Sequence, residues 1–182
     1  MKKNISTVLI VVASAAFALG CSGKKGQQAD VKAEEGIRFV AEGRLDEGMR
    51  SFEEALKLNP DHPRAHCGIG TIYRKQEKYE EAIAKYEHAI GLDPDYVVCI
   101  DNLGLAYAMT EDFENAEKQF LKASSLDETY ADSHHNLGAL YERLGRTGKA
   151  VEEYEKYISR SDDGEMIEKT RKQIEELRQG GK

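Results

Sequence analysis

Apolar, small and polar positions along this chain recur with a single period. Glycines stand at Gly36, Gly70, Gly104 and Gly138, each 34 residues from the next. A ring follows each glycine after three residues, at Phe39, Tyr73, Tyr107 and Tyr141. A second small residue recurs at Gly48, Ala82, Ala116 and Ala150. Four residues beyond it comes a second ring, at Phe52, Tyr86, Phe120 and Tyr154. Ala55, Ala89 and Ala123 complete the series, with Tyr157 at that position in the fourth copy. A fixed period of this length marks stacked supersecondary units, none of which can bury its apolar face alone.

Within each period the spacing is helical. Ile69, Ile72 and Tyr73 fall at i, i+3 and i+4, on one helix face; Ala82, Ile83, Tyr86, Ala89 and Ile90 do the same in the next segment. Each copy is therefore expected to form two helices. The first carries the glycine and one ring; the second carries the alanines and the other ring. Small residues let the pair approach closely, and the rings fill the space between them. Glu42-Gly43-Arg44 and Leu144-Gly145-Arg146 fit a glycine just past a helix C-terminus. Asn59-Pro60 and Asp93-Pro94 mark the passage to the next copy, with proline expected in a first helical turn. Glu128 and Asp162 take the proline position in the later copies.

Four copies follow from this register, over 29–62, 63–96, 97–130 and 131–164. Residues 164–179 then read as a capping helix. Ile167, Thr170, Ile174 and Leu177 form one stripe, and Glu165/Lys169, Glu168/Lys172, Arg171/Glu175 and Lys172/Glu176 are opposite charges at i, i+4. The last residues, Gly180-Gly181-Lys182, are expected to fray.

The pattern resembles the tetratricopeptide repeat, in which Leu-Gly and Tyr are followed by Ala, an aromatic residue, Ala and Pro. Leu103-Gly104-Leu105-Ala106-Tyr107 and Leu137-Gly138-Ala139-Leu140-Tyr141 match it most closely, while Glu35 replaces the leucine of the first copy. The resemblance covers about 29–162. It implies an all-α solenoid of about four helix-turn-helix repeats plus the cap. It also implies a concave groove, lined by the first helix of each copy, that holds a protein or peptide partner. Family positions place Arg64, Thr71 and Arg74 of the second copy in that groove. From the third come Asp101, Asn102 and Leu105; from the fourth, Asp132, His135, Asn136 and Arg143. Asn102 and Asn136 are the sharpest of these, because an amide offers an extended backbone both a donor and an acceptor. The variant of the family that clamps the C-terminal carboxylate of heat-shock chaperones needs Lys, Asn, Lys and Arg where this chain has Cys67, Thr71, Asp132 and Asn136. That ligand is disfavoured.

The front of the chain reads as an address. Lys2 and Lys3 precede an uncharged stretch from Ile5 to Leu19, and then comes Gly20-Cys21. The apolar run is about 15 residues, short of the roughly 20 that span a bilayer. Ala18-Leu19-Gly20-Cys21 resembles a bacterial lipobox. The resemblance implies cleavage before Cys21, a diacylglycerol on its sulfur and an acyl chain such as palmitate on its amine. The expected location is the cell envelope. Ser22, rather than Asp, after the cysteine favours the outer membrane facing the periplasm if the cell is Gram-negative. Residues 21–29 are expected to be the lipidated cysteine and a flexible tether, since they lack apolar periodicity.

Charge and chemistry narrow the picture further. The formal charge is −7, and removal of the signal with Lys2 and Lys3 takes it to −9. Nucleic acid is not an expected partner, because its phosphates call for a basic face. Cys67 and Cys99 fall on the first helices of neighbouring copies, and are expected to be separate apolar thiols rather than a disulfide. Gly148-Lys149 lacks the earlier Gly and the following Ser or Thr of a phosphate loop, since Arg143 and Ala150 stand there. His62 and His66 are four apart, but His62 precedes Pro63 and no further ligand has a clear spacing. No nucleophile-and-base pattern stands out. The expectation is a binding protein, not an enzyme, with no cofactor and no metal. Its partners would be a polypeptide in the groove and a membrane through Cys21. The expected role is a scaffold in envelope assembly, such as type IV pilus, outer-membrane or secretion biogenesis. Self-association of the array as a structural subunit is the alternative.

Overall fold

The computed structural model describes residues 24–180. The expected signal segment, Cys21, Ser22 and Gly23 lie outside the described residues, as do Gly181 and Lys182. Among the described residues there are nine helices and no strand. They are α1 (24–41), α2 (Leu45–Leu58), α3 (Pro63–Lys75), α4 (Tyr79–Leu92), α5 (Val97–Met109), α6 (Phe113–Leu126), α7 (Ala131–Arg143), α8 (Thr147–Arg160) and α9 (Gly164–Gly180). None is both long and apolar enough to cross a membrane. The chain divides into two compact units, the first ending at Ile72 and the second beginning at Tyr73, within α3.

In the first unit, α1 and α2 pair where their small residues meet. A Cβ on Gly36 would lie 2.6 Å from Cε1 of Phe52, so the ring occupies the space a side chain would need. Phe52 is fully buried and also covers Gly68 of α3, where an added Cβ would come within 2.1 Å of its Cζ. A Cβ on Gly48 of α2 would lie 2.9 Å from Cγ2 of Val40 in α1.

The second unit repeats the pairing. The rings of Phe120 and Tyr154 lie over Gly104 and Gly138, each glycine 16 residues before its ring, as in Gly36 and Phe52. From α4 to α9 each helix packs on the next, and α5 also meets α7. Contact between two first helices of successive copies is what stacking requires. The core here gathers Ala116, Phe120, Leu137, Leu140, Tyr141, Ala150, Tyr154 and Ile174. Ile174 comes from α9, whose Thr170 is also fully buried, so the last helix closes the apolar face of α8.

The turn inside each copy is the same four times. Gly43, Glu77, Glu111 and Gly145, again 34 apart, all have positive φ, from 61° to 77°. The next residue's N–H bonds back to the ring residue's carbonyl: Arg44 to Phe39, Lys78 to Tyr73, Asp112 to Tyr107 and Arg146 to Tyr141, at 2.8–2.9 Å. The positive-φ residue itself bonds three residues back, which completes a Schellman motif at every first helix. Glycine marks only the outer two copies.

Between copies the chain turns on a side chain. Asn59, Asp93 and Asp127 each accept from the N–H two residues on, at 3.2, 3.4 and 2.8 Å, and Ser161 does so for Asp163 at 3.1 Å. Pro60 and Pro94 sit in these turns rather than in a first helical turn, because α3 starts at Pro63 and α5 at Val97. Pro63 takes the first-turn position instead. Asx and serine turns supply the bend without proline, so Glu128 and Asp162 are tolerated in the later copies.

One further expectation is corrected. From Lys24 onward the supposed tether is the first part of α1. Lys, Gln and Ala are good helix formers, and Ala29 is fully buried, so this segment is ordered without an apolar stripe of its own. Asp30 anchors it further, with Oδ1 3.0 Å from Nε2 of the buried His62.

Candidate partner-binding groove

In the second unit, α5, α7, α8 and the start of α9 enclose an open cavity of about 390 Å³. Asp101, Asn102 and Leu105 line it from α5, and Asp132, His135 and Asn136 from α7. Each trio sits on one face of its helix because the spacing is that of a helical turn. Tyr130, Tyr157, Asp163 and Met166 complete the lining.

Polar bonds fix much of this wall. Asn136 donates from Nδ2 to Oδ2 of Asp101 at 2.8 Å, tying α7 to α5. Asn102 donates from Nδ2 to its own helix, at the Val98 carbonyl (2.9 Å), and its Oδ1 accepts from Nη2 of Arg74 at 3.3 Å. Asp101 is only 3% exposed, and its Oδ1 has no hydrogen-bond partner among the described residues. Burial pushes its carboxyl up to about 7; the Asn136 bond and Arg74 oppose that rise, and Asp132 adds to it. His135 packs its ring against Tyr154 and Tyr157, with centroids 5.5 and 5.1 Å apart. Burial holds its imidazole below the ordinary histidine value.

Six of the ten residues expected in the groove therefore share one cavity. Arg74, half-buried, touches the site through Asn102, and its Nε meets no acceptor among the described residues. Arg143 is drawn away: it bonds the Ala108 carbonyl at 3.3 Å, pairs with Glu111 at 2.7 Å and lies 4.8 Å over the Phe113 ring. Arg64 and Thr71 belong to the first unit. There Arg64 is exposed and pairs with Glu34 at 2.6 Å, while Thr71 donates to its own helix at the Cys67 carbonyl.

Four lining residues escaped the family positions. Tyr157 stands where three copies carry alanine, and that break in the series was a visible signal. Tyr130 immediately precedes α7, as Tyr96 precedes α5. Asp163 and Met166 arrive with the cap, where Asp163 accepts from the Met166 N–H at 3.0 Å; no repeat position encodes them.

The remaining chemistry-bearing residues are held structurally. Cys67 and Cys99 are both buried, and the Cys99 thiol donates to the Tyr86 carbonyl at 3.9 Å. His66 bonds the Pro60 carbonyl at 2.9 Å, and His134 bonds Glu153 at 2.7 Å. No group of three or more metal-ligating side chains forms among the described residues.

Comparison with known proteins agrees with the geometry. Sequence profiles of the tetratricopeptide repeat match residues 34–97 and 96–163. The chain belongs to the tetratricopeptide repeat family. A search of curated proteins gives no significant match. Among solved structures it is similar to PilF of Pseudomonas aeruginosa, at 18% identity and a TM-score of 0.76, covering 85% of this chain and 69% of that one. It is also similar to MamA of Desulfovibrio magneticus RS-1, at 27% identity and a TM-score of 0.62, covering 75% and 78%. A third likeness is the first repeat domain of Spaghetti (RPAP3), solved with the HSP90 peptide SRMEEVD. It shares 20% identity with a TM-score of 0.60, covering 66% of this chain and 95% of that one.

Proposed function

We propose that this chain is a membrane-tethered scaffold that holds an extended segment of a partner protein along α5 and α7. The observation that carries this reading is the convergence of six family groove positions on one open cavity. A repeat domain of similar fold is seen with a peptide, which supports the same use of the fold here. The tether is Cys21, on the strength of the Ala18-Leu19-Gly20-Cys21 motif behind a charged and apolar leader. Acyl chains contribute about 0.8 kcal/mol per buried CH₂, so two or more hold a protein firmly on a bilayer. We assign the scaffold to assembly of a cell-envelope structure, with type IV pilus biogenesis the leading choice. If the cell is Gram-negative, the site is the periplasmic face of the outer membrane.

The groove is tested by cross-linking in intact cells and affinity capture from detergent-solubilised envelopes. Wild type is compared with Asn102→Ala combined with Asn136→Ala, after circular dichroism shows that both fold. Loss of specific partner recovery in the double variant is expected. Equal recovery would remove the groove assignment.

A further inference from the structure

The cavity on α5 and α7 has one sign of charge. Asp101, Asp132 and Asp163 line it, and no lysine or arginine does. Its histidine adds little positive charge at neutral pH, because burial lowers the His135 pKa. Arg74 approaches from α3, but its guanidinium is engaged with Asn102 rather than lining the cavity. Asp132 is exposed in the first turn of α7 and has no ion-pair partner among the described residues. A carboxylate cluster alone is a common solvated feature. What sets this one apart is Asp101, 3% exposed in the cavity wall with Oδ1 lacking any donor. A buried carboxylate oxygen without a donor is costly, and a charged donor is the partner that relieves it most. Tyr130 and Tyr157 add ring surface, which suits a cation stripped of some of its water.

We propose that this cavity receives the positively charged side chain, guanidinium or ammonium, of a partner polypeptide, a proposal that rests on the peptide-holding reading above. Asp132 meets the cation first, Asp163 supplies charge from the cap side, and Asp101, whose buried carboxyl is lifted to about 7, completes its ionisation as the cation arrives. The cavity volume falls within the range of about 300–1,000 Å³ typical of ligand clefts. Such a site selects against a peptide like SRMEEVD, whose carboxylates would meet Asp132 and Asp163 and a buried Asp101 with no positive charge to offer. The preference of this groove is thus for basic segments, and the repeat fold has been turned to it by three aspartates from separate elements.

The test uses the full chain in detergent micelles, with ¹⁵N labelling, and three blocked peptides. One is Ala-Ala-Arg-Ala-Ala; the second has citrulline and the third glutamate in place of arginine. Citrulline keeps the shape and removes the charge. The arginine peptide is expected to move the amide signals of 101–105 and 132–136. The citrulline peptide should bind about tenfold more weakly, as the loss of one charge-assisted contact implies. Asp132→Asn, at an exposed position, should weaken the arginine peptide more than the citrulline peptide. Equal binding of the arginine and citrulline peptides would overturn the charge preference while leaving a peptide groove in place. Tighter binding of the glutamate peptide would overturn it outright. No response at the cavity to any of the three peptides would remove both the preference and the groove.

Discussion

Burial of Asp101 has a consequence for stability that is separate from binding. An unfolded aspartate titrates near 3.9, whereas burial lifts this carboxyl to about 7 in the folded chain. Between those values the folded state holds a proton that the unfolded state has released. The stability gained is full below about pH 4 and is lost as pH rises to about 7. Urea denaturation at pH 5, 6, 7 and 8 should show this decline, and Asp101→Asn should flatten it. A slope unaffected by the substitution would place the effect elsewhere. Gly104 offers a second residue-scale test. An alanine there would put its Cβ 2.6 Å from Phe120, and overpacking of this kind costs about 1–3 kcal/mol. Thermal melts of Gly104→Ala should show a matching drop in Tm. The packing role of these glycines was legible because it recurs in register with the rings. The state of Asp101 was not, since nothing in the sequence says that α7 would cover it with Asn136.

At the scale of elements, the period located every helix pair but only part of the turn chemistry. Gly43 and Gly145 announced the left-handed turn, while Glu77 and Glu111 adopt it with a side chain that disfavours it. The Schellman bonds compel the conformation whatever residue occupies it. A left-handed residue with a Cβ is disfavoured by roughly 1–2 kcal/mol, and glycine gives back part of that through its freer unfolded chain. Glu77→Gly is therefore expected to raise the urea midpoint by an amount equivalent to up to about 1 kcal/mol, and Gly145→Ala to lower it. The capping helix was legible from its stripe, and the burial of Thr170 and Ile174 follows that stripe. Ile174→Ala should cost about 2–5 kcal/mol, measured by denaturant midpoint. The start of α1 was not legible from apolar periodicity. A helix of Lys, Gln and Ala docked by Ala29 carries little of that signal.

For the whole molecule, the register read from sequence fixed the family, and the groove followed from family positions only where helix spacing alone decides direction. Arg143 departed because a carbonyl, a carboxylate and a ring on the α5–α6 turn all lay within its reach. Long side chains choose among such partners, and a repeat position does not encode the choice. The proposed anchor makes its own prediction. Cells fed labelled palmitate should label this protein, and Cys21→Ser should abolish the label and release the chain from the membrane fraction. A protein that stays membrane-bound and unlabelled would end the lipoprotein reading.

The early start of α1 bears on that anchor. Lys24, the first described residue, is already helical and stands three positions after Cys21 in the sequence. At roughly 3.5 Å per residue, three steps of chain span about 10 Å at most. A lipid on Cys21 would confine the first repeat to the layer of water next to the headgroups. Partners embedded in the same bilayer would then be met by diffusion in a plane, at a high effective concentration, while soluble ones would have to descend to the surface to be caught.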